Sequence, residues 1–124
     1  MTRRERLLAR QLPSATVLLA STDADGDPEE LKLRALPADE FEQLMAEHPP
    51  TDQQREDGAI WNEATFRPAL LSRSEVPLDG EESLSWEDWA QLMTLLPFGE
   101  VRELFDTALA LNDRAPAAEL GKDS

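Results

Sequence analysis

From Ser85 to Asn112 the apolar residues recur every three or four positions, and this spacing constrains the fold more than any other feature of the chain. Trp86, Trp89, Leu92, Met93 and Leu96 make one stripe, with Ser85 as its cap and Asp88 three residues on. Pro97 separates that helix from a second, in which Val101, Leu104, Phe105, Ala108, Leu109 and Leu111 repeat with helical period. The short Pro97-Phe98-Gly99 connection favours two helices packed as neighbours.

The first third of the chain has the other period. Residues 16–19 are a short strand with β-branched members, and residues 30–36 alternate polar and apolar side chains. The polar run at 23–28 lies between them and reads as a turn. A two-stranded hairpin is the simplest arrangement, and because two strands alone are marginal, a helix must cover its apolar face. Helical signals follow from Pro37. Asp39 and Glu42 have capping-box spacing, Phe41, Leu44 and Met45 share a face, and His48-Pro49-Pro50 ends the run. Thr51 with Gln54 caps a short helix that Gly58 closes. Trp61 and Phe66 bracket a loop in which Asn62 is a candidate cap, and Pro68 is placed to start a further short helix. Asp79-Gly80 is a turn signal in an acidic loop.

Both ends differ from this middle. Residues 2–12 read as a basic amphipathic helix with Leu7, Leu8 and Leu12 on one side, ended by Pro13. Such a segment is either a frayed terminus or an arm that docks on an acidic surface of the protein itself. Residues 113–124 are polar, rich in Ala and Pro and without period, and are expected to be a flexible tail. The expected organisation is an arm at 1–12, a single globular α+β domain at 13–112, and the tail.

Charge narrows the function. The chain of 124 residues has a formal net charge of −14, yet four of its twelve basic residues fall within the first twelve positions. So acidic a surface repels nucleic acid and anionic membranes, keeps the protein soluble and slows self-association. It would attract a basic partner. No apolar run approaches a membrane span, the N-terminal segment lacks a secretory apolar core, and there is no cysteine for a disulfide framework. A cytosolic protein is the expectation.

The constellations that carry chemistry fail one by one. Asp23-x-Asp25-x-Asp27 has the look of a calcium loop, but the sixth position holds Pro28, and sliding the frame puts Lys32 where a bidentate Glu belongs. His48 is the one histidine, and without Cys it makes no ordinary zinc site and has no nucleophile beside it in sequence. The five glycines are scattered and form no phosphate cradle. Paired carboxylates such as Glu29-Glu30 and Glu81-Glu82 read as solvated faces. No catalytic residue, metal or cofactor is assigned. Trp86 and Trp89 have two readings, as helix core or as a protein-binding face, and the same holds for Trp61 and Phe66.

Three stretches in order resemble a known family. Leu33-Arg34-Ala35-Leu36-Pro37 leads to Phe41-Glu42 and Ala46-Glu47-His48-Pro49-Pro50-Thr51. Then come Gly58, Trp61-Asn62, Thr65-Phe66 and Pro68-Ala69-Leu70-Leu71. Last are Leu104-Phe105, Ala108-Leu109 and Leu111-Asn112. This order, over roughly residues 7–114, is similar to the tail assembly chaperones of tailed bacteriophages and prophages of actinobacteria. The chain departs from that pattern in the short connection between its strands, and in Ser72-Arg73-Ser74 where small apolar residues are expected.

The resemblance implies a non-enzymatic role in virion morphogenesis. Such a chaperone binds the tape measure protein in the host cytoplasm and keeps it soluble while the tail tube assembles. Tail tube protein is a further partner, and a homo-oligomer is compatible with the role. Phe41, Trp61, Phe66, Trp86 and Trp89 are the candidate contact residues. Two rival readings are a structural tail or connector component retained in the particle, and an acidic DNA mimic that inhibits a host protein. The fold expected is α+β, mostly helical, with an N-terminal hairpin and four or five packed helices.

Overall fold

A computed structural model describes residues 1–22, 25–78 and 80–113. Part of the 23–28 turn, Asp79 of the Asp79-Gly80 turn and the expected tail beyond Asp113 lie outside the described residues, so the calcium-loop geometry is not on view.

The hairpin forms as the alternation requires. Strand β1 (Ser14–Thr22) pairs antiparallel with β2 (Pro28–Arg34), with Val17 opposite Leu31 and Ala15 opposite Leu33. That register sets Ala15, Val17, Leu31 and Leu33 on one face, since side chains alternate along a strand. Val17 and Leu33 are buried, while Leu18, on the other face, is exposed. The register slips between Leu18 and Thr22, so the hairpin's far end is irregular.

Helix α2 (Ala38–Glu47) starts earlier than its expected cap. Pro37 occupies the N-cap position with no side-chain cap, and Asp39 lies inside the first turn, where its charge favours the helix dipole. Helix α3 (Asp52–Glu56) has the Thr51/Gln54 capping box in full. Helix α4 (Glu63–Ser74) corrects the sequence reading. The Asn62 side chain accepts the Ala64 N–H and starts the helix there, so Pro68 lies inside it rather than at its start. An interior proline costs about 3 kcal/mol in an isolated helix. Here the burial of Phe66, Ala69, Leu70 and Leu71 around it offsets that cost.

A third strand, β3 (Glu75–Val76), was not expected. It follows α4 directly and pairs with Lys32 and Leu33 of β2, giving a sheet of order β1-β2-β3. Helix α5 (Trp86–Leu92) has the Ser85/Asp88 box, and stops before Leu96 in a turn at Met93. Helix α6 (Phe98–Asp113) follows Pro97 and carries the last periodic stripe. The N-terminal helix α1 (Arg3–Leu8), capped by Thr2 and Glu5, is shorter than residues 2–12 and buries none of its residues.

One cluster joins Val17, Leu33, Leu44, Phe66, Leu70, Leu71, Trp89, Leu104 and Phe105 into the core. It lies between the sheet on one side and α4 and α6 on the other, with α5 packed on α4. Asn112 locks the layers. Its Oδ1 accepts the Leu36 N–H at 2.7 Å, and its Nδ2 donates to the Ala108 carbonyl at 2.8 Å. Residues 33–37 and 104–112, far apart in sequence, therefore meet in space. On the hairpin, the Ala20 N–H donates to Glu100 Oε2 at 2.7 Å, which fixes the far half of β1 to α6.

Candidate protein-binding surfaces

Phe66 is the hub of one candidate surface. It is fully buried, and Trp61 stacks on it at 4.3 Å between centroids, with Phe41 edge-on at 6.0 Å and Phe105 at 6.2 Å. The Arg67 guanidinium covers the Phe105 ring at 5.4 Å. Aromatic pairs in such geometries gain about 0.5–1.5 kcal/mol beyond their area. The stack is held open to solvent on its outer side. Phe41 and Met45 of α2, Ile60 and Trp61 of the preceding loop, and Leu109 of α6 line a shallow cleft of about 500 Å³. Ile60 is 66% exposed there.

A set of hydrogen bonds beside this patch helps to fix its shape. His48 Nδ1 and Thr65 Oγ1 share a hydrogen bond of 2.9 Å, and the Asn62 N–H donates to the His48 carbonyl at 2.8 Å. These bonds join the end of α2 to the start of α4. The Trp86 indole N–H donates to the Thr65 carbonyl at 3.2 Å, so Trp86 lies against the same corner with its ring partly exposed. His48 thus serves the packing of two helices.

The five expected contact residues separate by burial. Phe41 and Trp61 come together and are half-buried, and Trp86 is 39% exposed. Phe66 and Trp89 are at 0% and belong to the core, since they fall on the faces that α4 and α5 turn inward. Neither touches a partner while the fold is closed. Ile60, Met45 and Leu109 are patch members that the sequence reading passed over. Ile60 sits in a loop outside any period, so its neighbour Trp61 was the only local signal.

A second candidate surface lies where the three strands, the loop after β3 and α5 meet. A groove of about 580 Å³ has a floor of Leu19, Leu31, Val76, Leu84, Leu92 and Leu96. Its rim carries Glu29, Glu30, Glu75, Glu81, Glu82 and Asp88 against a single lysine, Lys32. Among the described residues, the ion pairs are Arg55–Asp52, Arg67–Glu63, Arg73–Glu40, Arg73–Glu47 and Arg102–Asp106, so none of the rim carboxylates is neutralised.

Glu75 is affected chiefly by its own burial in this rim. Burial pushes its carboxyl above the ordinary carboxylate value; the Leu84 N–H, which it accepts, pulls the other way, and the nearby Glu81 charge adds to the rise. The acidic pairs were read from sequence as solvated faces. They converge here only because β3 places the chain after α4 along β2.

Among the described residues, no three His, Cys, Asp or Glu side chains are grouped to hold a metal ion, and no helix is long and apolar enough to cross a membrane. Two of the open surfaces are largely apolar, one of them aromatic and the other with an acidic rim. No protein-family model, curated protein or solved structure matches the chain.

Proposed function

We propose that the chain is a tail assembly chaperone of a tailed bacteriophage or prophage, which binds the tape measure protein stoichiometrically and keeps it soluble during tail tube assembly. The observation that carries this reading is the aromatic patch. Ile60, Trp61, Phe41, Met45 and Leu109 present apolar surface to solvent on a support of buried Phe66. An amphipathic client helix lays its apolar stripe into such a cleft. The net charge of −14 keeps the complex dissolved and disfavours nucleic acid as the client. Rigid rings are suited to the task because their fixed geometry lowers the entropy lost on binding. The resemblance of the ordered stretches to phage tail chaperones supplies the identity of the client.

Co-expression with candidate tape measure and tail tube proteins, followed by affinity capture, tests the reading. Capture of a tape measure protein is expected, with loss of at least ten-fold in the Ile60→Asp variant at unchanged thermal stability, as for a central apolar contact. Capture of a nuclease or polymerase instead, or equal capture by the variant, contradicts it. Mass spectrometry of purified particles separates this role from that of a retained tail component, which would be found in the particle.

A further inference from the structure

Two leucines that line the acid-rimmed groove lie outside the core. Leu78, in the loop after β3, is 46% exposed, and Leu95, in the turn after α5, is 66% exposed. Neither belongs to the core cluster or packs against it, whereas Leu31, Leu84, Leu92 and Leu96 of the same groove do. The groove therefore keeps apolar surface in water that the fold itself does not use.

The charge around these leucines has one sign. Of the six rim carboxylates, Asp88 accepts the Ser85 N–H at 3.0 Å and Glu75 accepts the Leu84 N–H at 3.5 Å. The carboxylates of Glu29, Glu30, Glu81 and Glu82 make no hydrogen bond or ion pair among the described residues, and Lys32 is the single cation of the lining. The cavity beside Trp61 and Phe98 is different. It holds Glu63 paired with Arg67 and Asp106 paired with Arg102, so its charges balance.

A ligand for the groove must answer both features. An apolar segment alone would desolvate the carboxylates without compensation, and a small cation would leave the leucines wet. Lysine and arginine do both tasks, since their methylene stems cover apolar surface while the charged ends reach the rim. A helix sets such residues beside an apolar stripe at fixed spacing. Helix α1 is itself basic, but it has six residues, and its two leucines, Leu7 and Leu8, are adjacent and so point in different directions. It offers one apolar contact rather than a stripe, and none of its residues lines the groove.

We propose that the groove is a second polypeptide site, which takes a basic amphipathic helix of a partner protein, with its apolar stripe on Leu78 and Leu95 and its lysines or arginines against Glu29, Glu30, Glu81 and Glu82. The groove shares no lining residue with the aromatic cleft, so binding there is read with no client present.

The probe is a fluorescein-labelled peptide of leucine and lysine, about four helical turns long, with leucines at helical spacing. Its anisotropy is followed as the full chain is added at about 0.15 M salt, where distant charges are screened. Saturable binding is expected, and a peptide of the same composition with the leucines scrambled is expected to bind about ten-fold more weakly. Leu78→Ser/Leu95→Ser is expected to weaken binding about ten-fold at an unchanged urea midpoint. Glu81→Lys/Glu82→Lys is expected to do the same, while Glu56→Lys/Asp57→Lys, an equal change of net charge on exposed residues outside the groove, stays within about two-fold of the wild type. Equal binding of the scrambled peptide, or equal loss in the two charge variants, would show general attraction to an acidic protein and overturn the proposal. So would binding that survives Leu78→Ser/Leu95→Ser, or no binding at all. A peptide that binds only after Leu7→Ser/Leu8→Ser would give the groove to α1 and overturn it as well.

Discussion

The aromatic patch and the acid-rimmed groove are both open apolar surfaces, but they are built differently. The patch rests on rings locked by a buried phenylalanine, with three hydrogen bonds beside it: His48 to Thr65, Asn62 to the His48 carbonyl, Trp86 to the Thr65 carbonyl. The groove is floored by aliphatic side chains from three strands, a loop and α5, and its rim carries six carboxylates and one lysine, with no ion pair to those carboxylates among the described residues. Buried polar atoms without partners among the described residues occur on both sides: Arg67 Nε, whose guanidinium covers the Phe105 ring, the Ser74 hydroxyl, one residue before Glu75, and the Trp89 indole N–H. A preformed patch selects by shape, whereas a charged groove selects by the sign of what enters it.

The comparison breaks most sharply at Phe66. Phe66→Ala removes the support of Trp61, Phe41 and Phe105 at once and is expected to cost about 3–5 kcal/mol, measured by urea unfolding. If the loss stays under about 1 kcal/mol, the patch is not built on the core as described. Such a variant is useless for testing client contact, because folding and binding fail together. Ile60→Asp is the cleaner probe, since Ile60 lies outside the core cluster.

Ser74→Ala tests the other side of the comparison. Removing a buried hydroxyl with no partner is expected to raise stability by about 1 kcal/mol, seen as a higher urea midpoint. A loss of similar size would mean that the hydroxyl is bonded.

The smallest effect is expected at Glu75. Its folded-state pKa is raised from the ordinary 4.5. The folded state therefore holds the proton more tightly than the unfolded state does. Its contribution to stability is greatest below the unfolded value and is lost as pH rises through the raised folded value. Glu75→Gln keeps an acceptor for the Leu84 N–H and is expected to flatten that part of the pH profile. An unchanged profile on urea unfolding at several pH values would show that the groove does not strain this carboxylate.

Much of the fold was legible because its signals are local. Thr51 with Gln54 and Ser85 with Asp88 each satisfy two amides within four residues, and both boxes form. The alternation through Leu31 and Leu33 fixed the face of β2. Pro68 misled because a proline can start a helix or be carried inside one, and the choice depends on how much its neighbours bury. β3 left no trace, since two residues carry neither a period nor a turn signal and pair only because α4 delivers them to β2. The same limit applied to the surfaces. Trp61 and Phe66 looked equivalent in sequence, and only the closing of α2 and α6 around them makes one the hub and the other its cover. The groove was invisible because Glu29-Glu30 and Glu81-Glu82 become neighbours through the sheet.

The central claim is that the molecule acts by holding another polypeptide. Light scattering of a candidate tape measure protein diluted from denaturant, with increasing amounts of this chain present, tests it most directly. Aggregation is expected to fall to completion near a fixed stoichiometric ratio, and to persist with Ile60→Asp. Aggregation that proceeds unaltered at every ratio, for each tape measure protein tried, would contradict it.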